Sequence, residues 1–132
     1  MAIRADRLAA VSAIVLLLTF TLLATACGSS GPPEGTIVEG PIELSVSPLY
    51  ITVRNASSLP LTDVRVSIDS GALAFSANYA RLEPGQRRNF SYSELRGRDG
   101  TPFNLRFHRP RRIMVTASDA RRTAYNAEMP WR

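Results

Sequence analysis

The stretch Asp63-Val64-Arg65-Val66-Ser67-Ile68-Asp69 alternates apolar and polar residues without a break. A period of two puts Val64, Val66 and Ile68 on one face and Arg65, Ser67 and Asp69 on the other. That is the pattern of a strand with one face buried and one solvated. Its inward residues are β-branched, as strands favour. The same alternation recurs in Ile42-Glu43-Leu44-Ser45-Val46, in Ile51-Thr52-Val53-Arg54 and in Ile113-Met114-Val115-Thr116. No amphipathic helix of useful length is visible after Pro41, and Ser93–Arg96 is expected to form one helical turn at most.

Turn chemistry separates these runs. Asn55–Pro60 (NASSLP) is a turn cluster, and Asp69-Ser70-Gly71, Arg98-Asp99-Gly100 and Ser118-Asp119-Ala120 are further breaks. Glu83-Pro84-Gly85-Gln86 has Pro at the second and Gly at the third position, which suits a type II turn. Strands are therefore expected at Ile42–Val46, Tyr50–Asn55, Asp63–Asp69, Leu73–Leu82, Arg87–Tyr92, Arg112–Ala117 and Thr123–Glu128. Short strands at this spacing predict an all-β chain, folded as a single antiparallel β-sandwich of about seven strands.

Three segments resemble immunoglobulin-like domains of bacterial cell-envelope proteins: Ile51-Thr52-Val53-Arg54-Asn55, Leu61-Thr62-Asp63-Val64-Arg65-Val66, and Leu82-Glu83-Pro84-Gly85-Gln86. The resemblance implies an immunoglobulin-like sandwich over residues 42–132, with Asn55 ending a strand, Val64 and Val66 in the core, and Pro84-Gly85 closing a hairpin. Such modules bind, space or assemble; the resemblance implies no catalysis.

The N-terminus has a different character. Arg4 and Arg7 precede Leu8–Ala26, an uncharged run of 19 residues. A basic start, an apolar run and a small-residue end form a secretory signal, here a helical signal peptide over residues 1–26. The run is also long enough to span a bilayer uncleaved, and both versions place the remainder outside the cytoplasm. Leu23-Ala24-Thr25-Ala26-Cys27 resembles a bacterial lipoprotein lipobox, with Ala24 where Leu is commonest. The resemblance implies cleavage before Cys27 and a diacylglyceryl group on its thiol. Ala24-Thr25-Ala26 also fits ordinary signal cleavage, which leaves a soluble secreted domain as the alternative. Residues 27–41, rich in Gly, Ser and Pro, are expected to be the attachment site and a flexible tether, although Ile37 and Val38 also suit the beginning of a first strand.

Composition narrows the chemistry. The chain of 132 residues carries a formal net charge of +5, and all 16 of its basic residues are arginine. Its single Cys excludes an internal disulfide, and one His with one Cys leaves little material for a metal site or a nucleophilic triad. Neither a cofactor nor a metal is expected. Asn55-Ala56-Ser57 matches a glycosylation sequon but reads as a turn. The basic stretch around Arg106, Arg109, Arg111 and Arg112, with Arg87-Arg88 and Arg121-Arg122, is the candidate for binding an anionic surface or an acidic partner. A solvated face explains the same residues. The export signal argues against nucleic acid. The aromatics are expected mostly in the core, with Trp131 capping the sandwich or exposed.

The expectation is thus a lipid-anchored lipoprotein of the cell membrane or outer membrane. Its sandwich would bind an envelope protein or an anionic lipid or glycan. A catalytic role would require a concave pocket that gathers His108 with a carboxylate.

Overall fold

The computed structural model describes residues 34–131; the signal sequence, Cys27 and the first part of the expected tether lie outside the described residues. The described chain is all-β. Its elements are β1 (Gly35–Glu39), β2 (Ile42–Val46), β3 (Tyr50–Asn55), β4 (Leu61–Asp69), β5 (Ala74–Leu82), β6 (Arg87–Ser91), β7 (Arg112–Asp119) and β8 (Ala124–Pro130). One 3-10 turn, Tyr92–Glu94, follows β6. Two antiparallel sheets result, ordered β1-β2-β3-β6 and β5-β4-β7-β8.

The alternation read from the sequence is the alternation of burial. Ile42, Leu44, Val46, Ile51, Val53 and Phe90 from the first sheet meet Val64, Val66, Ile68, Phe75, Ile113 and Val115 from the second in one core. Full burial of each such aliphatic side chain is worth about 1.5–3 kcal/mol, and the polar partners between them remain at the surface.

Among the described residues, eight strands form rather than seven. The additional one, β1, occupies part of the stretch expected as tether, and pairs with β2 from Gly35↔Val46 to Glu39↔Ile42. Glycine at both flanks conceals it in the sequence, and only Ile37 packs against the core. β4 also starts earlier than the alternation suggests. A bulge between Thr62 and Arg65 sets three steps of β4 against two of β7, with Asp63 at φ 52°. The extra residue shifts the phase, so Leu61 and Val64, three apart, are both buried.

Two turns match their chemistry. Gly85 has φ 76°, as the third position of a type II turn demands, and the Gln86 N–H donates to the Glu83 carbonyl at 2.9 Å. Asn55 ends β3, and it is fully buried. Its amide is engaged by Ser57, Leu59 and Leu82, so the sequon's side chain is structural.

The connections define two ends. At one end lie the beginnings of β1, β3, β5 and β7, the ends of β2, β4, β6 and β8, and the long 92–111 connection. There the Tyr92 hydroxyl, just past β6, donates to the Ser47 carbonyl, just past β2, at 2.7 Å, a bond within the first sheet. The Tyr92 ring also meets Trp131 edge-on at 6.1 Å. Trp131 therefore caps the core instead of projecting from it, and its N–H donates to the Arg111 carbonyl at 2.8 Å. The opposite end consists of the short connections 40–41, 56–60, 83–86 and 120–123.

Candidate functional site

The long 92–111 connection builds one wall of a surface groove. It crosses the outer edge of β5 by a bridge between Ser76 and Arg96, with backbone hydrogen bonds of 2.9 Å in both directions. A tight turn follows, closed by Gly100 N–H to Gly97 carbonyl at 3.0 Å and Gly97 N–H to Thr101 carbonyl at 2.8 Å. Gly97 lies against the buried Phe75 ring: a Cβ there would stand 3.4 Å from the ring and 3.1 Å from Asp99 Oδ1. The chain then enters the core at Phe103, whose ring meets Phe75 edge-on at 5.3 Å.

His108 returns the connection to the same place. Its ring lies 4.4 Å from the Phe75 centroid and 5.7 Å from that of Phe103, and its Nδ1 accepts the Asn104 N–H at 3.1 Å. Between this loop, the β4–β5 turn and the face of β4 lies a groove of about 760 Å³. Arg65, Arg96, Arg98, Asp99 and His108 line it together with Leu73 and Phe75.

The groove is electropositive. Arg65 donates to Ser76 Oγ at 3.1 Å, and Arg96 reaches the Gly100 carbonyl at 3.4 Å. None of Arg65, Arg96 and Arg98 forms an ion pair among the described residues, whose ion pairs involve Arg54, Arg81, Arg88 and Arg112. Three guanidinium groups thus face one carboxylate. The Thr101 N–H donates to Asp99 Oδ1 at 3.0 Å and, more than any other contact, holds that carboxyl below its ordinary range. Unpaired guanidinium forks beside an apolar wall suit an anionic group of carboxylate or phosphate geometry.

The arginines singled out from the sequence lie elsewhere. Arg112 is paired with Asp69 at 3.1 Å and Glu128 at 3.3 Å, so it braces β4, β7 and β8. Arg106, Arg109 and Arg111 are exposed on the long connection, outside the groove. The Arg109 carbonyl accepts the Ser70 hydroxyl at 2.9 Å, and the Arg111 N–H donates to the Asp69 carbonyl at 2.7 Å, which pins this segment to the β4–β5 turn. The groove arginines had no comparable sequence signal. Arg65 is an ordinary outward strand position, and only the Ser76–Arg96 bridge brings it near Arg96 and Arg98. Among the described residues, no group of three or more His, Cys, Asp or Glu is placed to hold a metal ion. No helix there is long and apolar enough to cross a membrane.

No protein-family model matches the chain, and comparison with curated proteins and with solved structures gives no match.

Proposed function

We propose that this protein is an extracytoplasmic lipoprotein, anchored by diacylglyceryl on Cys27, whose immunoglobulin-like sandwich is a binding or assembly module of the cell envelope. The anchor is supported by the lipobox-like Leu23–Cys27 and the uncharged run before it. The immunoglobulin-like assignment is supported by strand order. With β1 set aside, the first, second and fifth strands share one sheet, and the third, sixth and seventh share the other. The fourth strand, β5, departs from the constant-type arrangement by lying beside β4.

The groove is the observation that carries the binding role. Its three unpaired arginines and its Leu73–Phe75 wall suit an anionic ligand with an apolar portion. A second function, an envelope enzyme, is favoured by the presence of His108 and Asp99 in one groove. Against it, His108 Nδ1 is engaged by the Asn104 backbone and Asp99 Oδ1 by the Thr101 N–H, so both groups serve local turns. A general base needs its partner within hydrogen-bond reach.

Two measurements test this proposal. Metabolic labelling with a lipid precursor should mark the wild type and fail on Cys27→Ala; an unlabelled wild type, or label that survives the substitution, overturns the anchor. Titration with phosphate or citrate, followed by amide chemical shifts, should perturb Gly97, Arg98 and Ser76. Arg96→Glu with Arg98→Glu should abolish those shifts, and shifts unaffected by that pair overturn the groove as the binding site.

A further inference from the structure

We propose that the end of the sandwich where β1 begins is a membrane-docking surface, which seats Leu105 and Phe107 in the headgroup layer of an anionic bilayer. Large apolar residues are exposed almost only there. Phe107 is 80% exposed, Leu49 68%, Leu73 55%, Leu105 46% and Tyr50 45%. The remaining one among the described residues, Val38, stands alone near the β1–β2 turn at the opposite end. A cluster of this kind at one pole of a small domain marks an interaction surface.

The charges around it fit lipid. Arg106 separates Leu105 from Phe107, and Arg109 and Arg111 follow. All three arginines are exposed and without an ion pair among the described residues. Apolar side chains at the acyl boundary, flanked by guanidinium groups at phosphate level, form an interfacial anchor. Each cation held near an anionic leaflet adds to the attraction. The segment is also held ready. The Arg106 N–H donates to Asn104 Oδ1 at 2.9 Å and the Phe107 N–H to the Asn104 carbonyl at 3.1 Å. Phe107 is thus presented by a turn whose neighbours, Phe103 and His108, pack on the core.

Chain geometry selects the bilayer as the occupant, and this step rests on the lipid anchor proposed above. Glu34 stands seven residues after Cys27, and these can reach at most about 25 Å. The chain enters the fold at Gly35, opposite Val46, which is the end that carries Leu49 and the long connection. β4, nine residues long, sets the opposite end roughly 30 Å farther away. A leash this short, joined at this end, holds the apolar and basic pole against the membrane.

The test separates docking from anchoring. Every core residue lies between Ile42 and Met129, so a chain beginning at residue 28 keeps the whole core without a lipid. In flotation assays this chain should bind vesicles of phosphatidylcholine with phosphatidylglycerol more than vesicles of phosphatidylcholine alone. Phe107→Ser, and separately Arg106→Glu with Arg109→Glu, should each lower the bound fraction roughly tenfold. Arg121→Glu with Arg122→Glu, the same charge change at the opposite end, should leave binding unchanged. Absence of binding, equal loss from both arginine pairs, an inert Phe107→Ser, or full competition by inorganic phosphate each overturns the docking surface. The mass of Cys27 in the exported wild type reports on the anchor independently. Lipid without vesicle binding removes docking alone, and vesicle binding without lipid removes the anchor alone.

Discussion

Asn55 donates from Nδ2 to the Leu82 carbonyl at 3.1 Å, joining the end of β3 to the end of β5 from opposite sheets. The same nitrogen donates to the Leu59 carbonyl at 2.7 Å, while Oδ1 accepts the Ser57 N–H and hydroxyl. One buried amide thus shapes the β3–β4 connection and clasps the sheets. Asn55→Ala removes all four bonds and leaves the Leu82 carbonyl without this partner at a buried position. It should cost about 2–3 kcal/mol, which lowers the melting temperature by roughly 10–20 °C in a domain of this size. Urea denaturation of both proteins measures it, and a loss below about 0.5 kcal/mol would contradict the clasp.

At the other end the Tyr92 phenol, bonded to the Ser47 carbonyl, links the ends of β6 and β2 within the first sheet, and burial pushes its pKa up to about 12. The folded protein therefore holds this proton more tightly than the unfolded chain, whose tyrosines titrate near 10. The stabilisation is complete below about pH 10 and is lost as pH rises toward 12. Wild type should lose stability across that window. Tyr92→Phe should start lower, without the bond to Ser47, and show a flatter alkaline decline. Parallel declines in the two proteins would rule Tyr92 out as the source.

Asp119 supplies the acid counterpart. Its Oδ1 accepts the Thr123 and Arg121 N–H groups and its Oδ2 accepts the Tyr125 hydroxyl at 2.8 Å. The Thr123 contact first, and then the Tyr125 hydroxyl, hold its carboxyl below the ordinary range. A depressed carboxyl stabilises above its unfolded value near 4, and the contribution disappears as pH falls below that. Asp119→Asn should be less stable than wild type at pH 7, and the gap should narrow below pH 4. A constant gap across pH would mean that the carboxylate's charge is irrelevant to the β7–β8 turn.

What was legible in the sequence follows from the length scale of each signal. Strands announce themselves by alternation over five or six residues, so β2 and β3 coincide with their expected ranges. The Asp63 bulge interrupts the period, which conceals Leu61 and Thr62 as the start of β4. β1 is a strand because β2 offers it an edge; its own residues alternate little and carry one partly buried side chain. Hydrophobicity placed Phe75, Phe90 and Phe103 correctly in the core, yet Phe107 and Tyr50 are exposed. Composition gives the cost of exposing a ring, and only the path of the chain decides whether it is exposed. The groove was the least legible feature. Its arginines at 65, 96 and 98 converge through one bridge at Ser76, which no local pattern encodes.

β1 has a mechanical consequence. It lies antiparallel to β2 through five registered pairs, with Gly35 at the end where the chain enters. Tension applied at Glu34 and directed out of that end acts along the strand axis. The rungs of the ladder then resist together in shear, instead of parting one after another as they would if pulled sideways. The strand that the composition disguised as a spacer is thereby a grip. Load applied at Glu34 thus passes through β1 into β2 and the rest of the first sheet.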